Sequence, residues 1–425
     1  MRVKYLFLVL ILLIGFSGCE DDSSSLEVSQ SVFNNVSSDG ATLEVDVMSS
    51  DAWVVSDNAT WCTVAPEKGN GNQKITIKVE ANIELSARTA TITISSDKSD
   101  SRSIQLNQDG ANISLEDYHY KLPVIFHVLY HDKNDSKQYV EPGRLPEILK
   151  RVNELYLNAG PGSANMNVEF VLATKDPEGR VLSEPGVERI EWNTATIDID
   201  DFMFGNEGIY NYLIWEPNDY INVMVYTFTE EDVMGVSHFP YSPIQNPLEG
   251  TENVSGHVTG TNLKYAYCVS INNAYIYEKT TAALPNQNDM AITLAHELGH
   301  YLGLYHVFSE AAENGVSVCK DTDYCADTYT YNRDTYVDGV RSLQDSKFSF
   351  EKLAWRHDCV RDIDFTSRNI MDYAFSYLNE FTEQQKARVR HVLTYSPLIP
   401  GPKRGWSRTR STVEGPLDLP IVVMR

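Results

Sequence analysis

Short alternating runs of apolar and polar residues recur early in the chain, at Leu43 to Val47, Trp61 to Val64, Ile75 to Val79, Thr91 to Ile94 and Ile104 to Leu106. Alternation puts every second side chain on one sheet face, so each run predicts a half-buried strand. Turn-rich pieces such as Glu67-Lys68-Gly69-Asn70-Gly71-Asn72 separate them, and residues 26–110 therefore predict a small all-β, immunoglobulin-like sandwich. The pattern then changes. Residues 121–130, KLPVIFHVLY, are apolar without alternation, as a strand buried on both faces must be. His127 within it is expected to be a core histidine. Leu145, Ile148, Leu149, Val152, Leu155 and Tyr156 fall at helical spacing up to Asn158. A second helix is predicted from Ala291, Ile292, Ala295, Leu298, Gly299 and Leu302, with Asn288 or Asp289 as N-cap after Pro285. A third begins at Phe381: Thr382 caps, Gln385 completes a capping box, and Ala387, Val389, Val392 and Leu393 supply the buried face. Strands mixed with helices predict an α/β (α+β) domain over residues 111–400.

The ends of the chain differ from both domains. Arg2 and Lys4 precede an apolar run from Leu6 to Phe16, too short to span a bilayer, which takes about 20 residues. Residues 1–18 are read as a cleaved signal. Phe16-Ser17-Gly18-Cys19 resembles a bacterial lipobox, with Cys19 becoming the lipidated residue; an ordinary signal with a chance cysteine is the alternative. Glu20-Asp21-Asp22, within a linker of residues 19–25, resembles the acidic tag that sends Bacteroidetes lipoproteins to the outer face of the outer membrane. At the other end, residues 401–425 are basic at Lys403, Arg404, Arg408 and Arg410, then apolar from Leu417 to Met424. A final strand and a mobile tail both satisfy that pattern.

The chemistry concentrates in residues 296–306, HELGHYLGLYH. His296 and His300, four apart on a helix, project from one face and can share a metal ion. Glu297 beside them can take a proton from water at that ion. Gly303 lets the chain leave the helix in a left-handed conformation, so that His306 returns as a third nitrogen ligand. The full pattern arises by chance in about one chain in a hundred thousand of this length, which sets aside a merely amphipathic helix.

This string resembles the long zinc motif of the metzincin metalloendopeptidases, and LGLYHVF is most similar to the pappalysin branch. The resemblance implies a Met-turn under the metal, matched by NIMDY at residues 369–373, with Met371 as its methionine. It implies for Tyr373 a hydroxyl near the zinc that helps stabilise the tetrahedral intermediate; an ordinary buried tyrosine is the other reading. Relatives carry an Asp-rich stretch after the third histidine that binds calcium. Here Asp321, Asp323 and Asp327 could hold calcium or form ordinary solvated surface, and Tyr329 stands where the family has proline. The resemblance covers about residues 118–398 and implies an edge strand for substrate upstream of the zinc helix, sought in Tyr265 to Tyr277. The earlier domain, through Trp61-Cys62, Pro66 to Gly71, Arg88-Thr89-Ala90-Thr91-Ile92 and Leu106 to Gly110, resembles the BACON domain of Bacteroidetes surface proteins. That family implies glycan or mucin binding. Trp53 and Trp61 could stack on sugars, but core tryptophans are as common in sandwiches.

Cysteine usage fits an exported chain. Setting aside Cys19 leaves five, of which Cys319, Cys325 and Cys359 lie in the long segment after the zinc motif; one disulfide is expected there, involving Cys359. Cys62 and Cys268, in strand-like segments, are expected to be buried thiols. A net charge of −24 disfavours nucleic acid and anionic lipid as direct partners. The expectation is a zinc endopeptidase acting on protein substrates outside the cell, attached to the membrane only through its lipid. The alternative is a surface glycan-binding lipoprotein with an inactive peptidase-like domain; intact Glu297 favours the enzyme.

Overall fold

The computed structural model describes residues 26–424 apart from 83–86, 97–100, 112–117, 206, 257, 343–348, 374 and 405–414. The expected signal, Cys19 and the acidic linker lie outside the described residues. The described residues up to Gly110 form one compact unit, and those from Ala111 onward form another.

In the first unit, alternation produces two facing sheets. One has the order β1 (Leu26–Val28), β3 (Ala41–Ser49), β7 (Gln73–Val79), β5 (Cys62–Ala65); the other runs β2 (Val32–Val36), β9 (Ser101–Gln108), β8 (Arg88–Ser96), β4 (Ala52–Asp57), β6 (Lys68–Asn70). Val45, Val47, Ile75, Ile77, Ile92, Ile94, Ile104 and Leu106 are buried between them. All five predicted runs fall in strands, except that Trp61 lies in the turn just before β5. Strands β1, β2 and β6 escaped the pattern because they are short or polar, β2 reading VFNNV and β6 KGN, and β4, AWVVSD, because its apolar residues are consecutive and do not alternate. Trp53 is a core residue whose indole N–H donates to the Gly71 carbonyl at 3.0 Å. Trp61 is half-buried, with the Arg88 guanidinium 4.3 Å from its ring centre. Both rings are held within the sandwich, which weakens the stacking role considered for them.

The second unit is built on one mixed sheet. Strand β10 (Tyr120–Tyr130) pairs in parallel with β11 (Val168–Leu172) and then β12 (Val187–Glu191) on one side, and with β13 (Ile221–Tyr226) on the other. Beyond β13 lie β15 (Val269–Asn272), parallel to it, and β14 (Gly235–His238), antiparallel to β15 with Gly235 opposite Ile271. As the unbroken apolar run requires, β10 is buried on both faces from Val124 inward. His127 is a core histidine: its Nδ1 lies 2.9 Å from Glu188 and its Nε2 3.0 Å from Asn222. The expected edge strand in Tyr265 to Tyr277 is corrected here. That stretch forms β15, an interior strand whose four residues are buried, because its apolar run suits a place between two neighbours. The antiparallel strand at the outside is β14, and a last strand, β16 (Val423–Met424), pairs with part of it.

Helices α1 (Arg144–Asn158) and α2 (Met290–Tyr301) pack together, and the Tyr156 hydroxyl of α1 donates to the Ala295 carbonyl of α2 at 3.0 Å. Asp289 is the N-cap of α2, accepting from the Ala291 N–H at 2.9 Å. Helix α3 (Glu383–Tyr395) begins with the predicted Thr382 and Gln385 capping box.

Candidate active site

Helix α2 presents His296, Glu297 and His300 from its C-terminal half, all buried. The helix ends at Tyr301, and Gly303 then takes φ +90°, a conformation that costs a side chain about 1–3 kcal/mol. A methyl at Gly303 would also meet Val392 of α3 at 2.8 Å. The Arg388 Nε–H donates to the Gly303 carbonyl at 3.1 Å, so α3 holds the turn that returns His306 to the site. His300 Nε2 lies 3.0 Å from His296 Nε2 and 3.1 Å from His306 Nε2.

Each ring is oriented through its other nitrogen. His296 Nδ1–H donates to the Ile370 carbonyl at 2.8 Å, His300 Nδ1–H to the Leu304 carbonyl at 2.7 Å, and His306 Nδ1–H to Glu310 Oε1 at 2.7 Å. Carbonyl and carboxylate oxygens only accept, so the ring protons sit on Nδ1 and three Nε2 lone pairs face one point. Burial pushes His296 down to about 4, and burial followed by neighbouring imidazole charge depresses His300 and His306 well below the usual histidine range. The rings are thus held neutral, and lone pairs at 3 Å repel unless a cation lies between them. Among the described residues this trio forms the one group of three or more His, Cys, Asp or Glu side chains arranged to hold a metal. The donor set fits a borderline divalent ion.

Glu297 is buried beside the trio, its Oε2 without a hydrogen-bond partner, and burial raises its pKa well above the usual carboxylate range. It faces a cavity of 380 Å³ whose lining includes Asp232, Gly235, Gln287, Thr293, Arg333 and Tyr373. Gly235 of β14 lies directly against it: a methyl there would stand 2.6 Å from the Glu297 Cγ. Met371 is fully buried under α2, where a methyl at Gly299 would come within 2.4 Å of its Sδ. Asn369 Oδ1 accepts from the Met371 N–H at 2.9 Å and from Gln385 Nε2 at 3.0 Å, tying this turn to the cap of α3. Asp372 anchors the same turn by accepting from the Tyr331 hydroxyl at 2.6 Å. The Tyr373 ring stands edge-on to His306 with centres 4.6 Å apart, under the Arg333 guanidinium at 4.6 Å. Its hydroxyl pKa is raised, chiefly by burial.

The three aspartates considered for calcium do not converge. Asp327 accepts from the Thr382 hydroxyl at 2.7 Å and the Gln384 N–H at 2.9 Å, serving the start of α3. Asp323 is buried and accepts from the Cys325 N–H at 2.9 Å and the Thr328 hydroxyl at 2.7 Å, while Asp321 accepts from the Asp323 N–H at 3.1 Å. Cys319 and Cys359 form a disulfide, with Cα atoms 6.0 Å apart, whereas Cys62, Cys268 and Cys325 are buried free thiols.

Sequence reasoning passed over Glu310, Arg333 and Gly235. Glu310 follows His306 by four positions, but the segment between them is not helical, so the spacing carried no signal. Arg333 and Gly235 reach the site only through the fold.

Zinc-type donors on a helix, a carboxylate next to them and a methionine turn beneath serve one chemistry together, and they make the second unit a metzincin-like metallopeptidase domain. Residues 205–394 match the Peptidase M43 family, described as pregnancy-associated plasma protein-A. Residues 51–109 match the BACON family, an N-terminal binding domain. The chain is similar to an extracellular metalloprotease of Arthroderma otae, 38% identical over 98 residues, 23% of this chain and 29% of that one. It therefore spans under a third of that relative's length. It is also similar to a xyloglucan-specific endo-β-1,4-glucanase of Bacteroides ovatus, 31% identical over 97 residues, 22% of this chain and 19% of that one. Among solved structures it is similar to mirolysin in complex with compound 9, with TM-score 0.44 and 21% identity, covering 64% of this chain and 91% of that one.

Proposed function

We propose that the chain is a zinc-dependent endopeptidase cutting protein substrates outside the cell. The observation that carries the reading is the convergence of three neutral imidazoles, each fixed through Nδ1, beside an unpartnered buried carboxylate. His296, His300 and His306 are the zinc ligands. Bound there, zinc supplies Lewis acidity that activates water and polarises the scissile carbonyl. Glu297 is the general base: its buried Oε2, which has no hydrogen-bond partner, is free to accept a proton from water and return it to the leaving amine. Tyr373, held between His306 and Arg333, places a hydroxyl donor for the developing oxyanion. Met371 is the floor of the site, and Gly303 shapes the turn that delivers His306. An extended peptide adding antiparallel to β14 would bring its scissile bond to Glu297 by way of Gly235, which lies against that carboxylate.

A cleaved signal over residues 1–18 and lipid on Cys19 would display the enzyme at the outer membrane, with the BACON unit over residues 26–110 as a spacer before a catalytic domain of residues 111–400. That relatives are named extracellular metalloproteases supports export, and no helix among the described residues is long and apolar enough to cross a membrane. Glycan binding by the BACON unit is a secondary role. Calcium has no support from the placement of Asp321, Asp323 and Asp327.

The test is turnover of a denatured protein by the purified chain, with and without a zinc chelator, beside Glu297→Ala. The expected loss in that variant is about 10²–10⁴-fold with zinc still bound. Equal turnover by both forms would overturn the reading.

A further inference from the structure

The sheet edge that borders the active site is already half filled by the chain itself. Strand β14 begins at Gly235, against Glu297, and runs away from the site to His238. Its inner side pairs with β15. On its outer side β16 pairs antiparallel, Met424 opposite Ser237 and Val423 opposite His238, and the next pair is joined by the Phe239 N–H donating to the Val422 carbonyl at 2.8 Å. Among the described residues, the outward backbone groups of Gly235 pair with nothing, while Val236 turns its own toward β15.

The tail is seated by more than its ladder. Leu417, Leu419 and Ile421 pack in alternation against the main core, and Val423 packs on the neighbouring cluster. The Tyr241 hydroxyl donates to the Pro420 carbonyl at 2.6 Å, the Leu417 N–H donates to the Asn262 carbonyl at 2.8 Å, and Lys264 Nζ lies 3.0 Å from Asp418. Polarity gives this seat its meaning. A substrate antiparallel to β14 enters at the His238 end and reaches Glu297 at the Gly235 end, so its residues N-terminal to the scissile bond need the backbone groups of Ser237 and Phe239. Residues 417–424 run in that same direction and hold those groups.

We infer that residues 417–424 are an internal strand occupying the far half of the substrate edge, which restricts recognition N-terminal to the scissile bond to the two residues that lie opposite Gly235 and Val236. The inference rests on the peptidase reading for its consequence, while occupancy of the edge is tested without turnover. Three Glu297→Ala proteins serve: the full chain, a variant lacking residues 415–425, and Met424→Pro, which removes one ladder donor without shortening the chain. The probe is a fluorescent peptide of sequence GPLDLPIVVM, read by anisotropy. It is expected to bind the shortened protein at least about tenfold more tightly than the full chain, with Met424→Pro between them, as for the loss of two ladder hydrogen bonds. Equal binding to folded full-length and shortened proteins overturns the inference whether or not the enzyme is active. With Glu297 intact, lengthening a peptide substrate beyond two residues on its N-terminal side is expected to leave kcat/KM of the full chain unchanged and to raise that of both tail variants about tenfold. An equal rise in all three also overturns it.

Discussion

Glu310 is the one orienting group of the histidine trio that mutation can remove, because the other two rings lean on the backbone carbonyls of Ile370 and Leu304. Its carboxylate accepts from His306 Nδ1–H at 2.7 Å, and its side chain is 36% exposed. A hydrogen bond to a charged partner contributes about 1.5–3 kcal/mol, and solvent at a site this open keeps the value near the lower end. Glu310→Ala should therefore cost about 1.5–2 kcal/mol of zinc binding, or about 10- to 30-fold in Kd. Glu310→Gln keeps a neutral acceptor and should lose about fivefold. The assay is competition for zinc against a chelator of known affinity, monitored by the chelator's absorbance, with circular dichroism confirming that each variant is folded. A folded Glu310→Ala protein whose Kd stays within about twofold of the parent would refute the claim that this carboxylate fixes His306.

Other substitutions probe the frame. Gly303→Ala, at φ +90° and with its methyl 2.8 Å from Val392, should destabilise the catalytic unit by about 2–4 kcal/mol in chemical denaturation. Replacing both Cys319 and Cys359 by serine opens a loop of sequence separation 40 and should cost about 2–4 kcal/mol, seen as a lower melting point for the catalytic unit with the sandwich transition unmoved. Burial raises Asp323 to about 7; an acid whose pKa is higher folded than unfolded contributes stability that is present below the unfolded value and is lost as pH rises through the folded one. Between about pH 4.5 and about pH 7.5 the parent should therefore lose stability relative to Asp323→Asn in urea titrations. A parent that gains stability over that range, or that is stabilised by added calcium at neutral pH, would show the carboxylate to be held ionised by a cation.

The histidine string was legible because its spacing alone brings His296 and His300 onto one helix face, and Gly303 signals the turn that returns His306 to them. Strand β10, helix α1 and the capping box at Thr382 were likewise local patterns. The Asp327 carboxylate was not: its pull toward the start of α3 depends on a contact with residues more than fifty positions away. Strand β15 misled for a related reason, since an apolar run reports burial on two faces without naming the neighbour that covers its edge. Arg333 illustrates the same limit, as nothing around it in the chain announces the Tyr373 ring beneath it.

The carbonyl of Ile370 that aims His296 belongs to a loop 74 positions farther along the chain. Correct imidazole aim is thus unavailable to a nascent or unfolded polypeptide, which holds the same side chains without their shared focus. All three rings can share an ion only once that distant loop has docked, so full capture follows folding of the domain.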